Sequence, residues 1–349
     1  MKTPFPQTLL AALGLVPCMA LAQSSVTISG LLDVWAGSER STSAAGVRAS
    51  ASQLGRNGLT TSYWSISGSE DMGGGLSALF TLDSYIQPDT GIISQTPTSG
   101  YFSRSAFVGL RHTQWGTLVF GRAGTPLIGA MLSSNAFLTS TVFGSSYVNH
   151  WSGIIVGETS LNNAARYTSP LWGGRWRVSA LASLGEERPR GPDRNFGQAL
   201  EARVEYVHSP AYATVAYRGH KLSNNEDGKK QDIVLAAGSW DFGPLKAFAQ
   251  YIVVDDSYRN RAQNVDRQGY TLGARVPLGS NGVFMLSHAR LSIDDLDAAT
   301  PARKRTSSLG YAHTLSKRTD VYLNWLDSRH KTPQGSQLRR MGLGLRHRF

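Results

Sequence analysis

The chain has 349 residues, 35 Lys and Arg against 24 Asp and Glu, a formal charge of +11, 37 glycines, 14 prolines and one cysteine, Cys18. A single cysteine makes no intrachain disulfide and no thiolate metal site. The basic residues are scattered among acids and form neither a tail nor one stripe, so the clustered footprint of a nucleic-acid-binding module is missing and no nucleic-acid partner is expected.

Met1 and Lys2 lead into an apolar stretch, residues 9–21, that closes on Ala20-Leu21-Ala22. A charged start, an apolar core and small residues before the cut read as a secretory signal cleaved after Ala22. The stretch is short for a bilayer span, and no stop-transfer pattern follows. Pro17 precedes Cys18, which argues against a lipoprotein cut. The expected organisation is a cleaved signal over residues 1–22 and one domain over 23–349, with 327 residues, a charge of +10 and no cysteine. No later segment is apolar enough for a transmembrane helix.

Beyond the signal the chain alternates with a period of two. Val26, Ile28, Gly30, Leu32 and Val34 alternate with Thr27, Ser29 and Asp33. Trp176, Val178, Ala180 and Ala182 face away from Arg175, Arg177 and Ser179, and Leu200, Ala202, Val204 and Tyr206 face away from Glu201, Arg203 and Glu205. Three charges on one inner face are prohibitive in a packed soluble core but cheap in a water-filled lumen. Val321, Leu323 and Trp325 alternate with Tyr322 and Asn324, whereas residues 247–254 have mixed faces and no clear lipid side. Met341, Leu343, Leu345 and the terminal Phe349 face away from Gly342, Gly344, Arg346 and Arg348. A terminal aromatic suits the interfacial girdle of a membrane barrel.

Sixteen strand candidates centre on 26–35, 59–68, 76–83, 104–112, 117–121, 163–169, 175–183, 198–207, 212–220, 231–240, 244–254, 268–276, 281–290, 305–314, 319–329 and 340–349. Short connections, such as 71–75, 209–210, 241–243 and 278–280, mostly alternate with long polar ones, such as 37–58, 84–103, 184–195, 221–230, 255–267, 292–304 and 330–339. Periplasmic turns and extracellular loops alternate in this way. The expected fold is all-β: a 16-stranded antiparallel transmembrane β-barrel of a Gram-negative outer membrane.

One connection differs. Residues 124–157 contain no Asp, Glu, Lys or Arg, only His150 as a basic group, and they carry Leu127, Ile128, Leu132, Phe137, Phe143, Tyr147, Trp151 and Ile155. A loop folded into the barrel against its wall accounts for that composition, with a short helix from Pro126. The alternative is two further strands.

Catalytic and cofactor chemistry is not signalled. Asp227, Asp232, Asp255-Asp256 and Asp294-Asp295 are commonplace solvated loop acids without a full Ca²⁺ ligand set. The histidines lack metal spacing, and Gly73-Gly74-Gly75 lacks the lysine of a phosphate loop, so it reads as a tight turn. Nothing pairs a nucleophile with a base, so an enzyme is not expected, nor is a cofactor.

The ordered motifs resemble the general-diffusion porins of β-proteobacteria. Residues 26–35 resemble their first strand, and 68–78, Gly-Ser-Glu-Asp-Met-Gly-Gly-Gly-Leu-Ser-Ala, resemble their most distinctive turn. Phe107-Val108-Gly109-Leu110 and Gly121-Arg122-Ala123-Gly124-Thr125-Pro126 resemble the strands that enter the third loop. Arg166-Tyr167-Thr168-Ser169-Pro170, Leu315-Ser316-Lys317-Arg318-Thr319 and the ending 344–349 complete the series, which spans nearly the whole chain after the signal.

The resemblance implies sixteen strands, an inward third loop, a homotrimer in outer-membrane lipid and lipopolysaccharide, and passive passage of ions and small hydrophilic solutes. It also implies a constriction at Arg104 and Arg122, which match arginines of the family's pore wall. Tyr63, Ser67 and Ser160 stand where the family commonly has arginine, and the third loop lacks the family's acids. Arg166 and Tyr147 complete the candidate constriction with Arg104, Arg122, Tyr63 and Ser160. Two arginines without acids on the loop imply weak anion preference. The alternatives are a substrate-specific channel for small organic anions or sugars, with Phe143, Tyr147 and Trp151 as a slide, and a plugged barrel used for adhesion or anchoring.

Overall fold

The computed structural model describes residues 25–94, 100–156, 158–185, 197–222, 228–260, 263–295, 302–331 and 335–349. The expected signal over 1–22 and the loop acid Asp227 lie outside the described residues.

Alternation produces a wall with two environments. β1 (Ser25–Thr42) turns Val26 and Ile28, each 67% exposed, outward and buries Leu31, Asp33 and Trp35 inside. Next come β2 (Arg48–Arg56), β3 (Tyr63–Gly73), β4 (Leu76–Tyr85), β5 (Ser105–His112), β6 (Gly116–Gly124), β7 (Ser160–Thr168), β8 (Trp176–Leu184) and β9 (Gln198–His208). They are followed by β10 (Ala211–Lys221), β11 (Lys230–Asp241), β12 (Lys246–Ser257), β13 (Val265–Leu278), β14 (Gly282–Asp295), β15 (Ala302–Ser316), β16 (Thr319–Lys331) and β17 (Ser336–Arg348). From β3 onward each strand pairs antiparallel with the next, and β17 pairs back onto β1. Closure satisfies the edge backbone groups that lipid would leave unpaired. Phe349 seals the seam, exchanging two backbone hydrogen bonds of 3.0 Å with Gly30.

Seventeen strand segments make sixteen staves. β2 pairs with the upper part of β1, from Val34 to Thr42, and β3 with its lower part, from Ser25 to Leu31. Both run down the same side of β1, so they form one stave interrupted at residues 57–62. The Asp33 carboxylate holds the interruption by accepting the backbone N–H groups of Gly58 (3.0 Å), Leu59 (2.8 Å) and Thr60 (2.7 Å). It also accepts the Tyr322 hydroxyl from β16. The sequence pattern predicts a loop at 37–58 and a strand at 59–68. The difference is physical: the outer face of this hairpin carries Ser38, Arg40, Arg48, Ser50 and Ser52, so no lipid-facing apolar row marks it. Several other strands also run past their expected ends, β13 beginning at Val265 and β14 reaching Asp295.

Two glycine sets are required by geometry. Gly73, Gly74 and Gly75 have φ of 82°, 61° and 81° in the turn from β3 to β4, a left-handed run that only glycine adopts cheaply. Gly342 and Gly344 lie beneath the rings of Trp35 and Tyr322, where a Cβ would come within 2.3 and 2.1 Å of ring carbons.

The core sits between the wall and residues 124–156. α1 (Pro126–Ser133) opens this inward loop, with Thr125 Oγ1 accepting the Ile128 N–H at 3.3 Å and Pro126 at its first turn. Leu127, Ile128, Met131, Trp151 and Ile155 pack against Ala216, Ile233, Leu235, Ile252 and Val254 of β10–β12. Phe137 and Phe143 pack against Trp35, Leu59, Phe248, Met285, Tyr322 and Leu326. Each such fully buried large side chain contributes about 1.5–3 kcal/mol. The packing also explains the mixed faces of 247–254: Phe248, Ile252 and Val254 point inward onto the loop, while Tyr251 and Val253 point outward. The expected inward loop is present, and two extra strands are not; a π-helical turn, Tyr147–Trp151, occupies its second half.

Candidate solute path inside the barrel

Polar side chains of the wall fasten the loop along most of one side. Glu201 on β9 accepts the Leu127 N–H at the start of α1, 2.9 Å away, while it pairs with Arg218 at 3.1 Å in a fully buried ion pair. A carboxylate at a helix N-terminus also suits the helix dipole. Gln250 donates to the carbonyls of Met131 (2.7 Å) and Ser134 (2.9 Å), and Gln231 donates to Ile154 (3.0 Å) and accepts from Val156 (2.9 Å). Arg275 donates to the carbonyls of Asn135 and Ala136, Arg340 to that of Val142 and Lys304 to that of Val148. Thr271 meets His150 Nε2 at 2.9 Å, and Thr306 donates to Asn149 at 3.1 Å.

The loop carries no net charge at neutral pH. Burial pushes the His150 imidazole down to about 4, helped by the Lys304 charge and opposed by a backbone hydrogen bond at Tyr270. Burial also pushes the Tyr147 phenol up to about 12.

Across from the fastened side, the wall of β3–β7 stands clear of the loop. A cavity of about 860 Å³ separates them, lined on the loop side by Ile128, Leu132, Thr139, Thr141 and Tyr147. The wall contributes Tyr63, Asp83, Arg104, Ser105, Phe107, Ser160 and Arg166. A second cavity, about 290 Å³, continues toward the short-turn end past Arg111 and Thr117, and Arg166 and Phe107 border both.

Five of the six candidate residues therefore meet on one cavity. The Arg104 guanidinium lies 4.0 Å from the Tyr63 ring centroid and pairs with Asp83 at 2.7 Å. Ser160 donates to the Arg104 carbonyl at 2.7 Å, which ties β7 to the start of β5. Arg166 donates to the Gly124 carbonyl at 3.0 Å and lies 5.7 Å from the Phe107 ring centroid. Tyr147 stacks on Trp151 with centroids 6.2 Å apart.

Arg122 does not join them. Unbroken alternation along β6 puts it on the side of Leu118 and Phe120, away from Val119 and Ala123, and its side chain reaches the Ser103 carbonyl (2.7 Å), Asn162 (2.6 Å) and Glu158. Phe143 and Trp151, expected on a slide, are buried against the wall, so Tyr147 alone of the three borders the cavity.

Acids do answer both expected arginines, from outside the uncharged stretch: Asp83 for Arg104 and Glu158 for Arg122. Arg56 and Asp89 were missed in the sequence. They pair at 2.9 Å, and Arg56 borders the cavity from the end of β2, in a segment that read as loop.

Residues 9–331 match the model of the Gram-negative porin family. Outer membrane porin protein 32 of Delftia acidovorans is 27% identical over 87% of this chain and 84% of its own length. An outer membrane porin protein of Bordetella pertussis is 25% identical over 95% of this chain and 96% of its own. Among solved structures, the anion-selective porin from Comamonas acidovorans superposes with a TM-score of 0.81 at 25% identity, covering 94% of this chain and all of that one. A closed sixteen-stave barrel, an inward loop beside an open cavity and a family match over most of its length make this chain a member of the Gram-negative porin family, an outer-membrane barrel built as a diffusion channel for small solutes.

Proposed function

We propose that the channel weakly favours small anions, and that Arg104, Arg166, Tyr63, Ser160 and Tyr147 border its constriction. Charge balance around the cavity carries this reading. Arg56 is paired with Asp89 and Arg104 with Asp83, whereas Arg166 has only a carbonyl and a ring, with no acid at ion-pair distance among the described residues. One uncompensated cation facing a loop without acids gives a modest positive field, which sets ion preference in a pore. The similarity to a porin described as anion-selective supports the same direction.

A second reading, passage of particular organic anions, is favoured by Ile128 and Leu132, which border the same cavity as Arg166. An anion with an apolar tail would satisfy both sides.

The chain is further proposed to be exported with residues 1–22 removed, and to assemble as a homotrimer among outer-membrane lipid and lipopolysaccharide. The signal pattern and the family resemblance support these points.

Reversal potentials of single channels in a KCl gradient test the main reading. Chloride is expected to permeate more readily than potassium, and clear cation preference would contradict it. In the same recordings, block by benzoate at concentrations where acetate and glucose have no effect would favour the second reading.

A further inference from the structure

The second cavity differs from the first in what borders it. Asp83 lines the first, whereas no acid lines the second. Two arginines do, Arg111 near the end of β5 and Arg166 on β7, and among the described residues neither has an acid at ion-pair distance. The other polar side chains of the lining are hydroxyls. Thr27, Ser67 and Thr81 stand directly opposite one another across β1, β3 and β4, and the row ends on Phe107 of β5. Thr117 stands opposite Arg111. Alternation turns them all inward, since Val26, Ile28, Val108 and Leu110 face outward. Arg111 is opposite Thr117 and Arg166 opposite Val119, so the two arginines lie two strands and two residues apart. That spacing puts their Cα atoms about 12 Å from each other. Gly109 and Val119, both short, are paired between them, so two long side chains can close on one group from both sides.

We propose that this cavity is a transient binding site for phosphate monoesters of small polyols. Arg111 and Arg166 take the phosphate, because guanidinium forks match its oxygens in pairs and each such bond is charge-assisted. A phosphate monoester carries close to two negative charges at neutral pH, which two unpaired cations match and one does not. The hydroxyl row exchanges hydrogen bonds with the polyol, since a serine or threonine hydroxyl both donates and accepts. The Phe107 ring offers an apolar face to the carbon chain. The cavity volume of about 290 Å³ has room for about ten waters at roughly 30 Å³ each, a space suited to a three-carbon ester. Arg166 and Phe107 border both cavities, so a solute leaving the first meets this site on its way to the short-turn end. Binding stays weak enough for release, as conduction requires. The inference rests on the proposed path along β3–β7 and adds a solute class to it.

The test records single channels of the full-length protein in planar bilayers and titrates glycerol phosphate. The ester is expected to interrupt the current at concentrations where glycerol and methyl phosphate do not. Arg111→Gln is expected to weaken the block about tenfold, through lost charge-assisted hydrogen bonds at a hydrated site. Thr81→Val is expected to weaken it about fivefold, through one lost neutral hydrogen bond, and carries the test if Arg111→Gln fails to fold. Lys246→Gln, at the same end of the barrel on β12, controls for the general charge of the mouth and is expected to keep the wild-type block. Absence of block in wild type, equal block by methyl phosphate, wild-type block in Arg111→Gln and Thr81→Val, or an equal loss in Lys246→Gln would each overturn the proposal. The same channels without ester report the chloride preference. Its loss would count against the proposed path, and a missing block with the preference intact would count against this site alone.

Discussion

Replacing Arg166 by glutamate is expected to invert the proposed anion preference of the channel. Arg104 is matched by Asp83 and Arg56 by Asp89, so Arg166 supplies the unmatched charge on the cavity. A unit charge about 5 Å from a permeating ion, at an effective dielectric of roughly 40–80, changes the ion's energy by about 1–2 kcal/mol. That corresponds to roughly a five- to thirty-fold change in ion population at the narrowest point. Arg166→Gln is therefore expected to bring the chloride-to-potassium permeability ratio close to unity, and Arg166→Glu to push it below unity. Reversal potentials in a KCl gradient read both changes directly. Unchanged selectivity in Arg166→Glu would show that ions are selected elsewhere. The substitution also removes the bond to the Gly124 carbonyl at the neck of the inward loop. Glutamine keeps a donor there, so it separates charge from anchoring.

Glu201→Ala is expected to lower barrel stability by about 3–5 kcal/mol, the usual penalty for stranding a buried charge. Its partner Arg218 is fully buried, and Leu127 at the start of α1 loses its carboxylate acceptor in the same step. The two consequences separate in the double variant E201L/R218M. Removing both charges is expected to restore most of the stability, because the desolvation penalty goes with them. It does not restore the acceptor for α1, so open-channel current noise is expected to stay above wild type. Denaturant unfolding in detergent and planar-bilayer recordings measure the two effects independently. Stability of Glu201→Ala within about 1 kcal/mol of wild type would mean that water reaches Arg218 and that the pair is not sealed.

The wall was legible in the sequence because each stave meets lipid on one side and water or loop on the other. Leu200 against Glu201 and Leu323 against Tyr322 carry that contrast residue by residue. Legibility failed where the contrast is absent. β2 stands beyond the lipid belt, so Arg48–Arg56 looked like loop and Arg56 went unnoticed. Along 247–254 the inner face is apolar, since Phe248, Ile252 and Val254 support the loop, and both faces then look alike.

The proposed constriction was legible only in part. Tyr63, Arg104, Ser160, Arg166 and Tyr147 lie on the cavity, brought there by alternation and by the inward loop. Arg122 lies two residues from Gly124 in sequence, but alternation along β6 puts it with Leu118 and Phe120, away from Val119 and Ala123, and it meets Glu158 instead. That side follows from the period of two, whereas which loop aromatics are buried depends on wall residues far away in sequence, as Phe143 does on Trp35.

Cysteine accessibility tests the asymmetric lumen most directly, because the only native cysteine, Cys18, precedes the barrel. Ser105 borders the open cavity. Ala289 faces inward but is fully buried, in register between Thr271 and Thr306, both of which bond the loop. In planar bilayers, a negatively charged methanethiosulfonate is expected to reduce the current through Ser105→Cys and to leave Ala289→Cys unmodified. Equal block at both positions, or block at Ala289→Cys alone, would contradict a loop packed on β9–β17 with solutes passing along β3–β7.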